Sequence, residues 1–421
     1  MPSLRFLGVA AAAAVATVAA ADQPFSASIV EPADREVVRT FDGASSGDEK
    51  LHGVEGTLYS VAADGYTDGP FYVANITAPT HYGAGYAYGR LLANESVSNF
   101  KALFSHEFPK EWQELLLDGF LDFQYDRYAG PSLPQDFQDE MKGLADAGDD
   151  SGFRSLGALT KRGLTLASIA VGDVEKDIQY LVDGELGKVL DAFGDDEELR
   201  EKHRASLMSA RAALRAAGVS VDEAVASLKD SLLLRFGKTC SFWGAWGNRT
   251  DGGELYSGRN LDWAAQTGIS RYKTVSVYHI GDTIPHASIA FAGVTGAITG
   301  MSAAGITVHE AGDDNKLVTL EGFAWSLRLR ALMETATDLA SAKQFWETTN
   351  NTMGLNHGVG SATDPGFLAL ETRAGYTAYF EANDPREADA NVNGTHYGFP
   401  MVRFRDRVGR MCASGARTET A

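Results

Sequence analysis

The spacing of apolar residues changes at Cys240, so the two halves of the chain cannot share one class of secondary structure. Between about residues 85 and 236 apolar side chains recur every three to four positions, as in Phe100-Lys-Ala-Leu-Phe and Trp112-Gln-Glu-Leu-Leu-Leu. That is the period of helices with one face in a core. Residues 197–216 are dominated by Ala, Leu, Glu and Arg, all strong helix formers, and 221–236 continue in that style. From Cys240 onward the pattern predicts strands at 254–257, 273–280, 287–298, 306–310, 367–370 and 376–380, the last two forming a hairpin around Ala374-Gly375. Residues 322–348 return to helix, one or two, with Leu327, Leu329, Leu332 and Leu339 on the apolar side. Upstream, 56–62 and 71–76 read as strands separated by the turn-forming Asp64-Gly65 and Asp68-Gly69-Pro70, whereas 22–55 show no sustained period. The expected class is α+β, with helices and strands in separate layers.

The 421 residues suffice for one large domain or two ordinary ones. A net charge of −19 argues against a nucleic-acid partner, which would require clustered Lys and Arg. It suits an acidic compartment, where protonating carboxylates relieves self-repulsion. The N-terminus points the same way. Arg5 precedes an apolar run at 6–20, and small residues continue to Ala21 before Asp22 and Pro24. This layout predicts a signal peptide at 1–21 and entry to the secretory pathway, ending outside the cell or in a lysosome-like compartment. The run is short for a bilayer span, and no later segment is long and apolar enough to make one. Sequons at Asn75, Asn94, Asn248, Asn350 and Asn393 predict a glycoprotein.

Cys240 and Cys412 are the two cysteines. One reading joins them in a disulfide of a non-catalytic secreted glycoprotein. The other makes Cys240 a nucleophile, which requires a base. Lys238-Thr239-Cys240-Ser241-Phe242 offers no histidine at short range. Cutting the chain between Thr239 and Cys240 would supply one, because the new α-amine titrates near ~8. A hairpin turning at 251–253 would set Cys240 opposite roughly residues 263–265, within a residue or two, and bring Arg259 and Asp262 close to it. A regular strand points those two to opposite faces, so a bulge or bend is needed to aim both at one site.

Cys240-Ser241-Phe242, then Gly258-Arg259-Asn260-Leu261-Asp262-Trp263, resembles the signature of N-terminal-nucleophile (Ntn) hydrolases acting on linear amides. These include choloylglycine hydrolases, acid ceramidase and isopenicillin-N acyltransferase-like proteins. The pattern continues in Val275-Ser-Val-Tyr278-His, in Ala292-Gly293-Val-Thr-Gly296-Ala-Ile-Thr-Gly300-Met301 and in Ala304-Gly305-Ile306. It extends through Asn356 and Asp364 to Leu370-Glu371, with 82–89 as an upstream Gly-rich segment. The chain departs from the pattern at Gly300-Met301-Ser302 and Thr395-His396-Tyr397.

The resemblance implies a four-layer αββα sandwich, made as a precursor. After the signal, 22–239 would be a helix-rich segment released by self-cleavage, and 240–421 the catalytic segment, the two fragments staying associated. Cys240 would attack, its α-amine would act as base, Asp262 would hold and polarise that amine, and Arg259 would favour the thiolate and orient Asp262. Asn356 is the candidate oxyanion donor and His309 the second candidate. The implied substrate is a small N-acyl amide or a lipid. The alternatives with the same nucleophile are a phospholipase B-like ester hydrolase or an acyltransferase. No cofactor or metal is implied, since no His, Cys and Asp cluster has ligand spacing.

Overall fold

The computed structural model describes residues 35–62, 69–166, 179–180, 185–220, 222–224, 226, 240–262, 265–312, 319–382 and 384. The expected signal peptide at 1–21, Thr239, Trp263, Asn393 and Cys412 lie outside them.

The chain opens with β1 (Arg35–Asp42), β2 (Glu55–Val61) and β3 (Phe71–Ala78). Helix α1 (His81–Glu107) follows, capped by Thr80, whose hydroxyl accepts the Gly83 N–H at 3.2 Å. Among the described residues the longer helices that follow are α2 (Glu111–Gln124), α3 (Gln135–Asp150), α4 (Leu156–Leu166) and α5 (Glu197–Ala217), with one short helix at Leu186–Leu190 before the last. The second half begins with the hairpin β4 (Ser241–Ala245) and β5 (Tyr256–Asn260). Strands β6 (Lys273–Ile280), β7 (His286–Phe291), β8 (Thr299–Ser302) and β9 (Ile306–Gly312) come next. Helices α6 (Trp325–Thr335) and α7 (Leu339–Glu347) precede β10 (Leu355–Ser361), β11 (Gly366–Arg373) and β12 (Tyr376–Phe380).

Ten strands form one sheet in the order β1-β2-β3-β6-β7-β8-β9-β10-β11-β12. Every pairing in it is antiparallel except β3 with β6, which runs parallel from Tyr72 opposite Thr274 to Ala78 opposite Ile280. This pairing splices the strands before Cys240 into the sheet of those after it. Helix α1 covers one face through Leu91, Leu92 and Val97 against Leu58, Ile76 and Tyr278. Helices α6 and α7 cover the continuation of that face, with Leu332, Met333 and Trp346 against Val308, Val359 and Leu370. The β4–β5 hairpin lies on the opposite face, where Phe242 joins Ala369, Ala378 and Phe380. The architecture is an α+β sandwich, as the apolar periods predict.

Several local expectations need correction. The strand expected at 287–298 stops at Phe291, because the chain turns at Gly293, whose φ is +95° and where a side chain would run into Phe100; the next strand begins only at Thr299. At 322–348, where one or two helices are expected, there are two, the second started by Asp338, whose carboxylate accepts the Ser341 N–H at 2.7 Å. Strand β1 arises where no period was visible, since its register shifts between Val37 and Arg39. Most of 221–236 lies outside the described residues.

Candidate active site

Cys240 immediately precedes β4, and its free thiol is buried. The hairpin pairs Ser241 with Asn260 and Phe242 with Arg259, so Cys240 comes abreast of Leu261 rather than of 263–265. The connection is longer than a tight turn: two 3-10 turns, at Gly247–Arg249 and Asp251–Gly253, occupy it and shift the register.

Alternation then decides which side chains face the sheet. Phe242 and Arg259 point inward, while Trp243 and Tyr256 point outward and stay half exposed. Phe242 seats the hairpin between His309 and Phe367, at ring-centre distances of 6.4 and 6.1 Å. Gly358 permits this approach; a Cβ there would lie 2.8 Å from the Phe242 ring.

The inward Arg259 meets both the Cys240 sulfur and a carboxylate. Its Nη2 lies 3.3 Å from Cys240 Sγ and 2.7 Å from Glu310 Oε2, and its Nε donates to the Glu310 carbonyl. Arg259 and Glu310 are almost wholly buried at the side-chain level, at 4% and 10% exposure. Burial pushes the Cys240 thiol upward and Glu310 adds to this, while Arg259 and the backbone N–H groups of Asp262 and Gly312 pull it down. The net direction is upward, so the thiol is held protonated beside a cation able to stabilise its anion. Burial likewise raises the Glu310 carboxyl against the lowering effect of Arg259.

The bend that Arg259 and Asp262 require is the end of β5. Arg259 reaches the sulfur by its side chain, and Asp262, two residues past Asn260, reaches it by its backbone N–H. The Asp262 carboxylate accepts from Asn260 Nδ2 at 2.6 Å.

Asn356 sits inside β10, fully buried, opposite Ala311. Ala311 lies between Glu310 and Gly312, the two β9 residues that touch the Cys240 network. Both atoms of the Asn356 side-chain amide lack hydrogen-bond partners, an arrangement that is costly unless something else uses them. His309 is packed between Phe242 and Phe367, and its Nδ1 is 2.6 Å from Thr299 Oγ1. Burial first, then the charge of Arg259, drives its pKa to about 3, which suits packing rather than proton transfer.

Glu310 was missed at the sequence level. It is one acidic residue among 56, and its only sequence signal was a position beside His309 in a β-rich run.

An apolar cavity of about 130 Å³ opens beside Cys240. Leu261, Ile269, Phe291 and Ile298 line it from the second half, and Phe100, Leu103 and Leu164 of α1 and α4 from the first. Of the sequons, Asn94, Asn248 and Asn350 are exposed, whereas Asn75 lies within β3 with its side-chain oxygen buried.

No protein-family model matches the chain. No curated protein matches it either. Among solved structures it is similar to the Caenorhabditis elegans ortholog of N-acylethanolamine-hydrolyzing acid amidase, at 16% identity and a TM-score of 0.27. That match covers 34% of this chain and 64% of the other, a likeness too slight to decide anything about this chain.

Proposed function

We propose that the chain is a secreted, self-cleaving amidohydrolase that splits an N-acyl bond of a small molecule through Cys240. The observation that carries this reading is the Arg259 guanidinium 3.3 Å from a buried cysteine sulfur beside an apolar cavity. A cation so placed stabilises a thiolate, which is the reactive form of cysteine.

In the first reaction the Cys240 thiol attacks the Thr239 carbonyl carbon, the Thr239–Cys240 peptide bond breaks, and water hydrolyses the resulting thioester. This frees the Cys240 α-amine. An amine titrating at about 8 can take the thiol proton near neutral pH. Asp262, next to the thiol, holds that amine.

In the second reaction the Cys240 sulfur attacks the substrate carbonyl, and the proton taken by the α-amine passes to the departing nitrogen. Asn356 donates to the oxyanion. Water then releases the acyl group, which lies in the cavity during turnover. The fragments remain together because β3 and β6 share the sheet.

A panel of N-acyl amides and matched esters tests the reaction. Turnover of amides, with an acyl adduct found by mass spectrometry on Cys240, is expected. Esters alone being turned over would favour the ester hydrolase, and undiminished turnover by Cys240→Ala would remove the nucleophile assignment.

A further inference from the structure

The described residues hold a second concentration of buried charge, remote in role from Cys240. Arg330 of α6 is fully buried. Its Nη1 and Nη2 donate to the two Glu140 oxygens at 2.5 and 2.8 Å, and its Nε donates to Glu334 Oε1 at 3.1 Å. The Thr295 carbonyl accepts at 3.0 Å, and the Tyr278 ring centre lies 4.0 Å from the guanidinium carbon. The second Glu334 oxygen is 3.1 Å from Nε2 of His81, the first residue of α1.

His286 of β7 completes the group. Its Nε2 accepts from Arg330 Nε at 3.2 Å and its Nδ1 faces the Ile284 carbonyl at 3.1 Å. The proton therefore sits on Nδ1 and the ring is neutral, in keeping with a pKa driven by burial to about 4.

Glu140 and His81 belong to helices before Cys240, while Arg330, Glu334 and His286 follow it. Arg330 supplies one positive charge against the negative charges of Glu140 and Glu334. The cluster is therefore neutral only when His81 is protonated, and a net charge in a buried site is destabilising. We infer that this cluster is an acid-favoured clamp between the N-terminal helices and the catalytic segment, with His81 as its titrating member. The clamp acts whether or not the chain is cut; after the proposed cut it becomes a contact between two fragments.

The sign of its pH dependence follows from what faces His81. Burial lowers its pKa, but the Glu334 hydrogen bond and the charges of Glu140 and Glu334 outweigh burial and the opposing Arg330, leaving it raised. A raised histidine contributes fully below its unfolded value, near ~6.5, and loses that contribution as pH rises through the folded value. Glu334 is correspondingly held down to about 2 despite burial, chiefly by Arg330.

The test uses the full chain carrying Cys240→Ala, so that its outcome is independent of self-cleavage. Melting temperatures of this chain, and of its His81→Gln and Glu334→Gln derivatives, are compared at pH 5.5 and 8.5. The deficit of each derivative should shrink at the higher pH by on the order of 2 °C, because neither retains a charge balance that depends on protonated His81. Parallel behaviour across pH would overturn the clamp. If the derivatives fail to fold, hydrogen exchange at the His81 ring C2, read by mass spectrometry, gives its titration midpoint directly. A midpoint above ~6.5 supports the clamp, and one at or below it overturns the inference.

Discussion

Arg259 reaches Cys240 from the far strand of the β4–β5 hairpin, placing Nη2 3.3 Å from the sulfur. The same nitrogen is 2.7 Å from Glu310, so the cation is fixed before the sulfur requires it. Burial raises the thiol pKa and Arg259 opposes that rise. Arg259→Gln should therefore shift the pH profile of Cys240 alkylation by iodoacetamide upward and slow the reaction at pH 8. The comparison uses preparations shown by mass to be in the same cut state. An unmoved profile would mean that the guanidinium does not act on the sulfur.

Glu310→Ala would leave the Arg259 guanidinium buried without its carboxylate. Breaking a buried pair from one side costs about 3–5 kcal/mol. In the Cys240→Ala background, where catalysis and cleavage play no part, denaturant unfolding should report a loss of that size. Glu310→Gln should lose less, because its carbonyl and amide oxygens still accept from Arg259. Equal stability in all three proteins would show that the pair is idle.

Much of this was legible in the sequence. The change of period at Cys240 separates the helix-rich half from the strand-rich half, and Cys240 and Arg259 meet as their motif implies. What escaped notice depends on packing. Strand β10 carries only Leu355 and Val359 as large apolar residues because helices press on one face and the hairpin on the other; Gly358 and Gly360 make room for Phe242 and Phe367. The strand that carries Asn356 therefore has no apolar alternation to mark it in the sequence. Glu310 was invisible because its partner lies on a separate two-stranded sheet, a contact that no local pattern encodes. The hairpin register was misplaced because two 3-10 turns occupy a connection that glycines alone made look tight.

Asn356 offers a test that separates stability from catalysis. Its amide is buried and unpartnered, so a leucine of similar size should cost little stability, and unfolding midpoints should match or exceed wild type. If the amide donates to the oxyanion, kcat should fall by about 10²–10³. Asn356→Leu with full turnover on a good amide would assign the residue to packing alone.

The proposed chemistry depends on the bond before Cys240, and the most direct measurement is the intact mass and N-terminal sequence of the purified protein. Wild type should resolve under denaturing conditions into two fragments, one beginning with Cys240, and Cys240→Ala should remain a single chain across the Thr239–Cys240 junction. An active wild-type enzyme that is uncut at that bond would contradict the account, because Cys240 would then have no α-amine to act as its base.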